Sequence, residues 1–413
     1  MSTLKVNKLR DTAGSADAIT LDPNGGAVLA GVTTVTSVKV GAAVTISESG
    51  IEASGIGITV ANINGGQFSN RNVIINGACR VAQRSNLATS QTGYGAVDRF
   101  QVLSTGDSRF TLSQGDGPGV QYGLPSALKF ETTTADSSVA ATDYMYLDTR
   151  LEGQDLQRFQ KGSSDAKQFT LQFWIKLAVA GTYVVQLFDA DNSRHVVANY
   201  TVSSANTWEK KIITFPADTT GSFDNDNARS LDIRWHFMGG SNYRGGTQQT
   251  TWGSIVATNM LEGMGNAVSS TGNNFITGMQ LEVGSQATAF EHHSFGDELA
   301  LCQRYYQQFD DSSNPGSYIW GIAYGGGGNS AGLVIYYPTV MRANPTGTGE
   351  NLNNLNFNDG TAAYTAANNT YSFAAYEYVV RITSTSLGSM TGKAIQVYSN
   401  SSTNTKIKLD AEL

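Results

Sequence analysis

The sequence predicts an all-β protein, on three observations. Charged residues make up 15% of the 413-residue chain, against an average of about 25%. Glycine is abundant at 45 residues, proline scarce at 7, with 18 Tyr and 17 Phe beside them; this mixture suits short strands joined by tight turns rather than helices. Apolar and polar residues also alternate with a period of two along many stretches, the spacing that lays one strand face on a core. The length predicts two or three domains.

Residues 1–70 contain no Trp or Tyr and one Phe. Their run GVTTVTSVKVGAAVTISESGIEASGIGITVANING sets Val, Ile and Thr at alternate positions, broken by single glycines. Strands of about five residues with tight turns are expected. They lack the bulk for a core of their own. Several wrapped copies would bury the small Val/Ile faces in a slender β shaft and remove exposed strand edges.

A jelly-roll β-sandwich is expected over 71–293. FTLQFWIKLA places Phe169, Leu171, Phe173, Ile175 and Leu177 on one face, with Gln172, Trp174 and Lys176 on the other. LDIRWHF directs Leu231, Ile233, Trp235 and Phe237 inward and Asp232, Arg234 and His236 outward. Strands with one wet face at this spacing indicate an antiparallel sandwich or jelly roll. Over 311–413 a small distal β-sandwich follows, with strands in SYIWGIAYGGGG, AGLVIYYPTV, TYSFAAYEYVVRITS and KAIQVYSN, and Gly/Asn-rich loops from Gly325 to Ser330 and from Arg342 to Asn369. Tyr318, Trp320 and Tyr324 share one face there and read as core.

One short linking helix is predicted at 294–310. The stretch EHHSFGDELALCQRYYQQF gathers metal-ligating residue types: Glu291, His292, His293, Asp297, Glu298 and Cys302. The spacing favours a helix instead. Ser294 and Asp297 have capping-box spacing, and Asp297 and Glu298 suit the positive helix start. Leu299, Cys302, Tyr306 and Phe309 form one apolar stripe. Cys302 then becomes a small buried hydrophobe, and the segment a hinge between two β modules. Cys79 and Cys302 do not make a disulfide framework.

The net charge is −7, and no Lys/Arg run exceeds two residues. A nucleic-acid partner would call for a basic patch. No stretch approaches the ~20 apolar residues of a membrane span, and MSTLKVNKLRDT lacks the apolar core of a signal peptide. Assembly in a cytoplasm is therefore expected.

Motifs of common enzymes fit poorly. GSMTGKA has three spacer residues and ends on Ala394, where a P-loop needs four and a Ser/Thr. No G-x-S-x-G elbow occurs. DADNS (189–193) and DNDN (224–227) open like calcium loops, but position 12 would be Tyr200 or Trp235 rather than Glu; both read as turns. No cofactor and no enzymatic activity are expected.

Several motifs, in order, resemble a family of bacteriophage tail-fibre β-sandwich domains. NVIINGACRVAQRS and GYGAVDRF resemble the opening of that domain, FTLQFWIKLAVAGTY and NTWEKKIITFPADTTG its middle strands, and ITGMQLEVGSQATAFEHHSFGDELALCQRYY its ending. The stretch covered is 71–310. The resemblance implies a jelly roll like those of carbohydrate-binding modules, in a virion tail appendage assembled in the host cytoplasm. It also implies a homotrimer, joined to other phage tail or virion proteins through residues 1–70 and meeting host surface polysaccharide or lipopolysaccharide. A structural or decorating virion protein, a connector or knob without receptor binding, is the alternative. Asn76-Gly77 is a turn signal. Arg84 and Arg99 either lock the opening strand, through carbonyls, Asp98 or Glu282, or are exposed. GMQLEVG is expected to close the sandwich beside the opening strand.

Sugar recognition uses aromatic faces rimmed by polar groups. The candidates are Trp174 and His236 on outward strand faces, and Tyr243, Arg244 and Trp252 in the loop MGGSNYRGGTQQTTW. From the polarity of the chain, the 311–413 tip is expected to carry host recognition; the competing arrangement puts the sugar on the jelly-roll face bearing Trp174 and His236.

Overall fold

In the computed structural model, described residues run from 69 to 413, apart from 89–90, 107–108, 312–317, 326–327, 366–370, 386, 388–390 and 400–403; six short strands are described before them. The chain divides into two units, Met1–Ala61 and Asn62–Leu413. The first holds two three-stranded antiparallel sheets. One is Lys8–Leu9, Ile19–Leu21 and Ala27–Leu29; the other is Ser37–Val40, Val44–Ser47 and Gly50–Ala53. The second sheet lies in the run where alternation predicts short strands, while the first precedes it. The turns and apolar packing expected of a shaft lie outside the described residues.

The jelly roll packs two antiparallel sheets face to face. The five-stranded sheet runs Glu209–Phe215, Phe169–Lys176, Gly272–Val283, Leu124–Thr134, Arg109–Gly119. The seven-stranded sheet runs Gly253–Ser254, Arg194–Val202, Gly181–Asp189, Arg229–Gly239, Tyr144–Glu152, Gln101–Ser104, Gly93–Tyr94. Phe169, Leu171, Phe173 and Ile175 meet Val185, Leu187, Ile233, Trp235 and Phe237 in one fully buried core, as the alternation requires. The GMQLEVG strand lies at the centre of its sheet rather than at a closing edge. The opening segment is irregular but touches that strand, through Val73 N–H to the Leu281 carbonyl (3.1 Å) and Met279 N–H to the Gly77 carbonyl (3.0 Å).

Asn76 does more than turn the chain. Its side chain donates to the carbonyls of Val81 (2.8 Å) and Asp98 (3.0 Å) and accepts from Val81 N–H (3.0 Å). At Gly77 a Cβ would stand 2.1 Å from the Met279 carbonyl oxygen, so only glycine fits.

The helix covers Phe295–Gln303, with Ser294 Oγ accepting Asp297 N–H at 3.1 Å. It stops short of the predicted 310. Tyr306–Asp310 instead pairs antiparallel with Lys406–Asp410, whose other neighbour is Thr346–Glu350. Leu299 and Cys302 keep their helical places, while Tyr306 and Phe309 sit on that strand.

This three-stranded sheet packs on a second seven-stranded one: Ala363–Thr365, Leu355–Asn358, Ala394–Ser399, Ile319–Gly325, Ala331–Tyr336, Val379–Ser384, Tyr371–Ala375. Ile407 and Leu409 join Leu333, Phe357, Val380, Ile382 and Val397 in its core. The expected long loop from Arg342 to Asn369 therefore contains three strands. A register shift between Ile319 and Gly321 turns Ile322 and Tyr324 outward. Tyr324 is half-exposed rather than core, while Trp320 is partly buried against the core.

Arg99 is buried and Arg84 partly so, and their acidic partners come from the far end of the chain. Arg84 bonds Asp410 (2.8 Å) and Glu412 (3.0 Å), with its guanidinium 3.6 Å from the Tyr306 ring centroid. Arg99 pairs with Glu412, donates to the Arg150 carbonyl (2.5 Å) and lies 3.4 Å from the Tyr305 ring centroid. These arginines fasten the jelly roll to the C-terminal strand, a role the sequence reading assigned to nearer partners.

Candidate functional site

The outer face of the seven-stranded sheet carries an aromatic cleft of about 230 Å³, lined by Tyr144, Tyr146, Arg234, His236, Tyr243, Met260 and Leu261. Alternation builds it. Met145 and Leu147 fill the core, so Tyr144 and Tyr146 face out. On the adjacent strand Trp235 and Phe237 are core, so Arg234 and His236 face the same way. Pairing opposes Tyr146 to His236 and Asp148 to Arg234.

The rings form a continuous wall. Tyr144 and Tyr146 stack with centroids 5.5 Å apart at 22°, Tyr243 meets Tyr144 edge-on at 6.1 Å, and His236 lies 5.1 Å from Tyr146. Tyr243 is fixed by its hydroxyl, which donates to the Thr142 carbonyl at 3.2 Å. The Arg234 guanidinium lies 4.3 Å from the Phe188 ring centroid and 5.3 Å from that of Tyr146.

Buried charge underlies this wall. Asp232 is held by Arg229 (Nε, 2.7 Å) and Arg234 (Nη2, 2.7 Å). Asp148 is equally buried but has only Arg150 Nε, at 3.5 Å, as an ionic partner. Burial, followed by the nearby Asp232 charge, pushes its carboxyl up to about 7. Burial also lowers the His236 imidazole to about 3, helped by Arg234 and His195. An imidazole so placed is neutral and can accept as well as donate a hydrogen bond. Flat ring faces stack on the C–H faces of sugars, and the interleaved polar atoms can bind hydroxyls.

The predicted site residues are not all together. His236 and Tyr243 line the cleft. Arg244 follows Tyr243 but does not line it; burial lowers its guanidinium, opposed by Glu262. Trp252 is structural: its indole N–H donates to the Pro216 carbonyl (2.8 Å), and its ring lies 5.8 Å from Phe169 against the core. Trp174 stands on the five-stranded sheet, its ring 4.7 Å from Tyr122. Trp174 and His236 therefore do not share a face. Sequence reasoning missed Tyr144, Tyr146 and Arg234 as cleft residues. The Tyr-x-Tyr of DYMYLD was the available signal, two rings on one face of a strand.

No family model matches the chain. No curated protein matches it either. Solved structures are similar over about half of it. The enzymatically active domain of bacteriophage CBA120 tailspike protein 4 is 11% identical with a TM-score of 0.30, covering 51% of this chain and 21% of that one. A family 11 carbohydrate-binding module from Clostridium thermocellum is 14% identical with a TM-score of 0.25, covering 50% of this chain and 99% of that one. A sugar-binding protein of Bacteroides thetaiotaomicron, described as putative, is 11% identical with a TM-score of 0.27, covering 52% and 100%.

Other features are less suited to a sugar. A larger groove of about 530 Å³ runs beside the helix, lined by Ala300, Leu301, Val340 and polar neighbours, with no aromatic side chain other than His293. In the stretch 291–302, Glu291 accepts from Asn72 N–H (2.9 Å) and Glu298 from Asn76 N–H. Cys302 is buried, and burial pushes its thiol well up. Among the described residues no cluster of His, Cys, Asp and Glu is arranged to hold a metal. Asp189 Oδ1 accepts from Asn192 N–H (3.0 Å), closing the DADN turn.

Proposed function

We propose that this chain is a tail-fibre subunit that binds host surface glycan through the Tyr144–Tyr146–His236–Tyr243 cleft. The observation that carries the glycan reading is the ring wall interleaved with Arg234 and His236 over a small cavity. Apolar ring faces with a few oriented polar groups are the pattern of a small-ligand site. The tail-fibre part rests on the motif resemblance over 71–310. In this reading the jelly roll is the recognition module, in place of the distal sandwich, and the chain binds without cleaving. Asp232 beneath the cleft is already committed to two arginines. Three copies joined through the N-terminal region would multiply a weak contact through effective concentration.

The test is binding of the purified full chain to host cells, with released envelope polysaccharide as competitor. Wild type should bind and be displaced, and Tyr146→Ala should lose at least tenfold in affinity. Equal binding by the variant removes the cleft from the reading. No cell binding by either supports the connector or knob alternative.

A further inference from the structure

A chain of four side chains leads from the cleft to the far edge of the same sheet: His236, Gln186, His195, Gln249. The contacts are His236 Nε2 to Gln186 Oε1 (3.1 Å), Gln186 Nε2 to His195 Nδ1 (2.8 Å), and His195 Nε2 to Gln249 Oε1 (2.9 Å). His236, Gln186 and His195 are all buried.

The direction of this chain follows from its outer end. Gln249 Nε2 lies 3.2 Å from the Ser254 carbonyl and 3.4 Å from the His195 carbonyl. Carbonyls only accept, so that end of the amide carries the hydrogens. The Gln249 oxygen therefore faces His195, whose Nε2 must hold its proton. His195 Nδ1 is then bare and takes the Gln186 N–H. The Gln186 oxygen faces His236, and His236 Nε2 holds its proton. Arg234 agrees independently, since its Nη1 donates to the same Gln186 oxygen at 3.4 Å. What remains is His236 Nδ1, unprotonated, without a partner and closed to solvent in the unliganded cleft, so a ligand donor reaches it only as the side chains packed beside it give way. An unmet buried acceptor has a cost that a ligand donor would remove.

We propose that His236 Nδ1 is the cleft's hydrogen-bond acceptor for a hydroxyl of a neutral sugar, with Gln186, His195 and Gln249 as positioning residues that fix its tautomer. This rests on the glycan reading above. A carboxylate has no hydrogen to give that atom and would set lone pair against lone pair. Nor is Arg234 free to recruit an anion, since Asp232 holds it. The charged and titratable groups around His236 are Arg234 and Asp232 on its own strand, Tyr146 and Asp148 on one neighbouring strand, His195 beyond the other, and Tyr243 above. Burial lowers the His236 imidazole to about 3, so its acceptor persists from about pH 5 to 8, and a change of binding near pH 7 would report the Asp148 carboxyl instead.

The test uses the full chain with histidine-selective ¹⁵N labelling and two probes, a neutral β-glucan oligosaccharide panel and an oligogalacturonide panel. Wild type should show His236 protonated at Nε2 and prefer the neutral panel. Gln249→Asn keeps an amide oxygen for His195 and an amide nitrogen for the two carbonyls, and should keep the tautomer and lose less affinity than Gln249→Lys. Gln249→Lys offers only donors; it should move the His236 proton to Nδ1 and weaken neutral-sugar binding at least tenfold. A proton on Nδ1 in wild type, a preference for the acidic panel, or unchanged affinity in a tautomer-shifted Gln249→Lys overturns the proposal. No binding to either panel, with the tautomer as derived, overturns the glycan reading itself and separates the two failures.

Discussion

Replacing Lys161 by Met removes the only ammonium inside the jelly roll among the described lysines, with little change in side-chain bulk. Lys161 Nζ is fully buried, 2.5 Å from Asp189 Oδ2, 3.1 Å from Asp218 Oδ2, and 2.5 and 3.1 Å from the Gly221 and Thr220 carbonyls. Four oxygens thus converge on one positive charge. After substitution Asp218 keeps Arg194, with bonds of 3.0 Å to each carboxylate oxygen, while Asp189 keeps only Asn192. Removing one partner of a buried pair costs about 3–5 kcal/mol because the other charge stays uncompensated. The retained Asp218–Arg194 pair places the expected loss near the lower end, about 3 kcal/mol. Denaturant unfolding of Lys161→Met should show a lowered midpoint with an unchanged slope. Adding Asp189→Asn should restore part of the loss, since it removes the stranded charge. The vacated oxygens also suit a hard divalent cation, with water completing its shell. Millimolar calcium should therefore raise the midpoint of Lys161→Met and leave wild type unmoved. A variant within about 1 kcal/mol of wild type, or calcium stabilising both proteins equally, would refute the reasoning.

Arg99→Leu leaves the Glu412 carboxylate to Arg84 alone and should lower stability by about 3 kcal/mol, the lower end for a broken buried pair, with limited proteolysis showing earlier cleavage near 406–413. Asp148→Asn tests the sign of a raised carboxyl. The folded group keeps its proton up to about 7, whereas the unfolded one loses it near 4, so this group's contribution is lost as pH rises between those values. The variant should therefore unfold later than wild type at pH 8, by roughly 2–4 kcal/mol, with little gain below pH 4; an equal gain at both would refute the assignment. Gly278 sits at φ +62 with an added Cβ 2.8 Å from Leu124, so Gly278→Ala should cost about 1–3 kcal/mol in the same unfolding assay. Trp174→Ala should leave glycan affinity within about twofold of wild type, while Tyr144→Ala should lower it by at least about 1.4 kcal/mol, or tenfold; a reversed pattern would place the sugar on the five-stranded sheet.

The sequence by itself determined the strands, their faces and the start of the helix, because these depend on neighbours a few residues away. Successive strand side chains point to opposite faces, so FTLQFWIKLA and LDIRWHF each specify a core set and an outward set; the core sets are buried as expected, while of the outward residues Gln172, Asp232 and His236 are covered as well. Ser294 caps its helix through a contact three residues on. Tertiary structure decided everything that depends on which strand lies beside which. Alternation cannot say that Trp174 and His236 belong to different sheets, or that register sets Tyr146 opposite His236. The relay from His236 to Gln249, the oxygens around Lys161, and Glu412 between Arg84 and Arg99 join residues far apart in the chain. The helix end shows the competition directly. Apolar spacing carried the stripe to Phe309, but Lys406–Asp410 offers residues 306–310 a ladder of backbone hydrogen bonds. Strand pairing about a hundred residues away thus ended a helix that the local period would have continued.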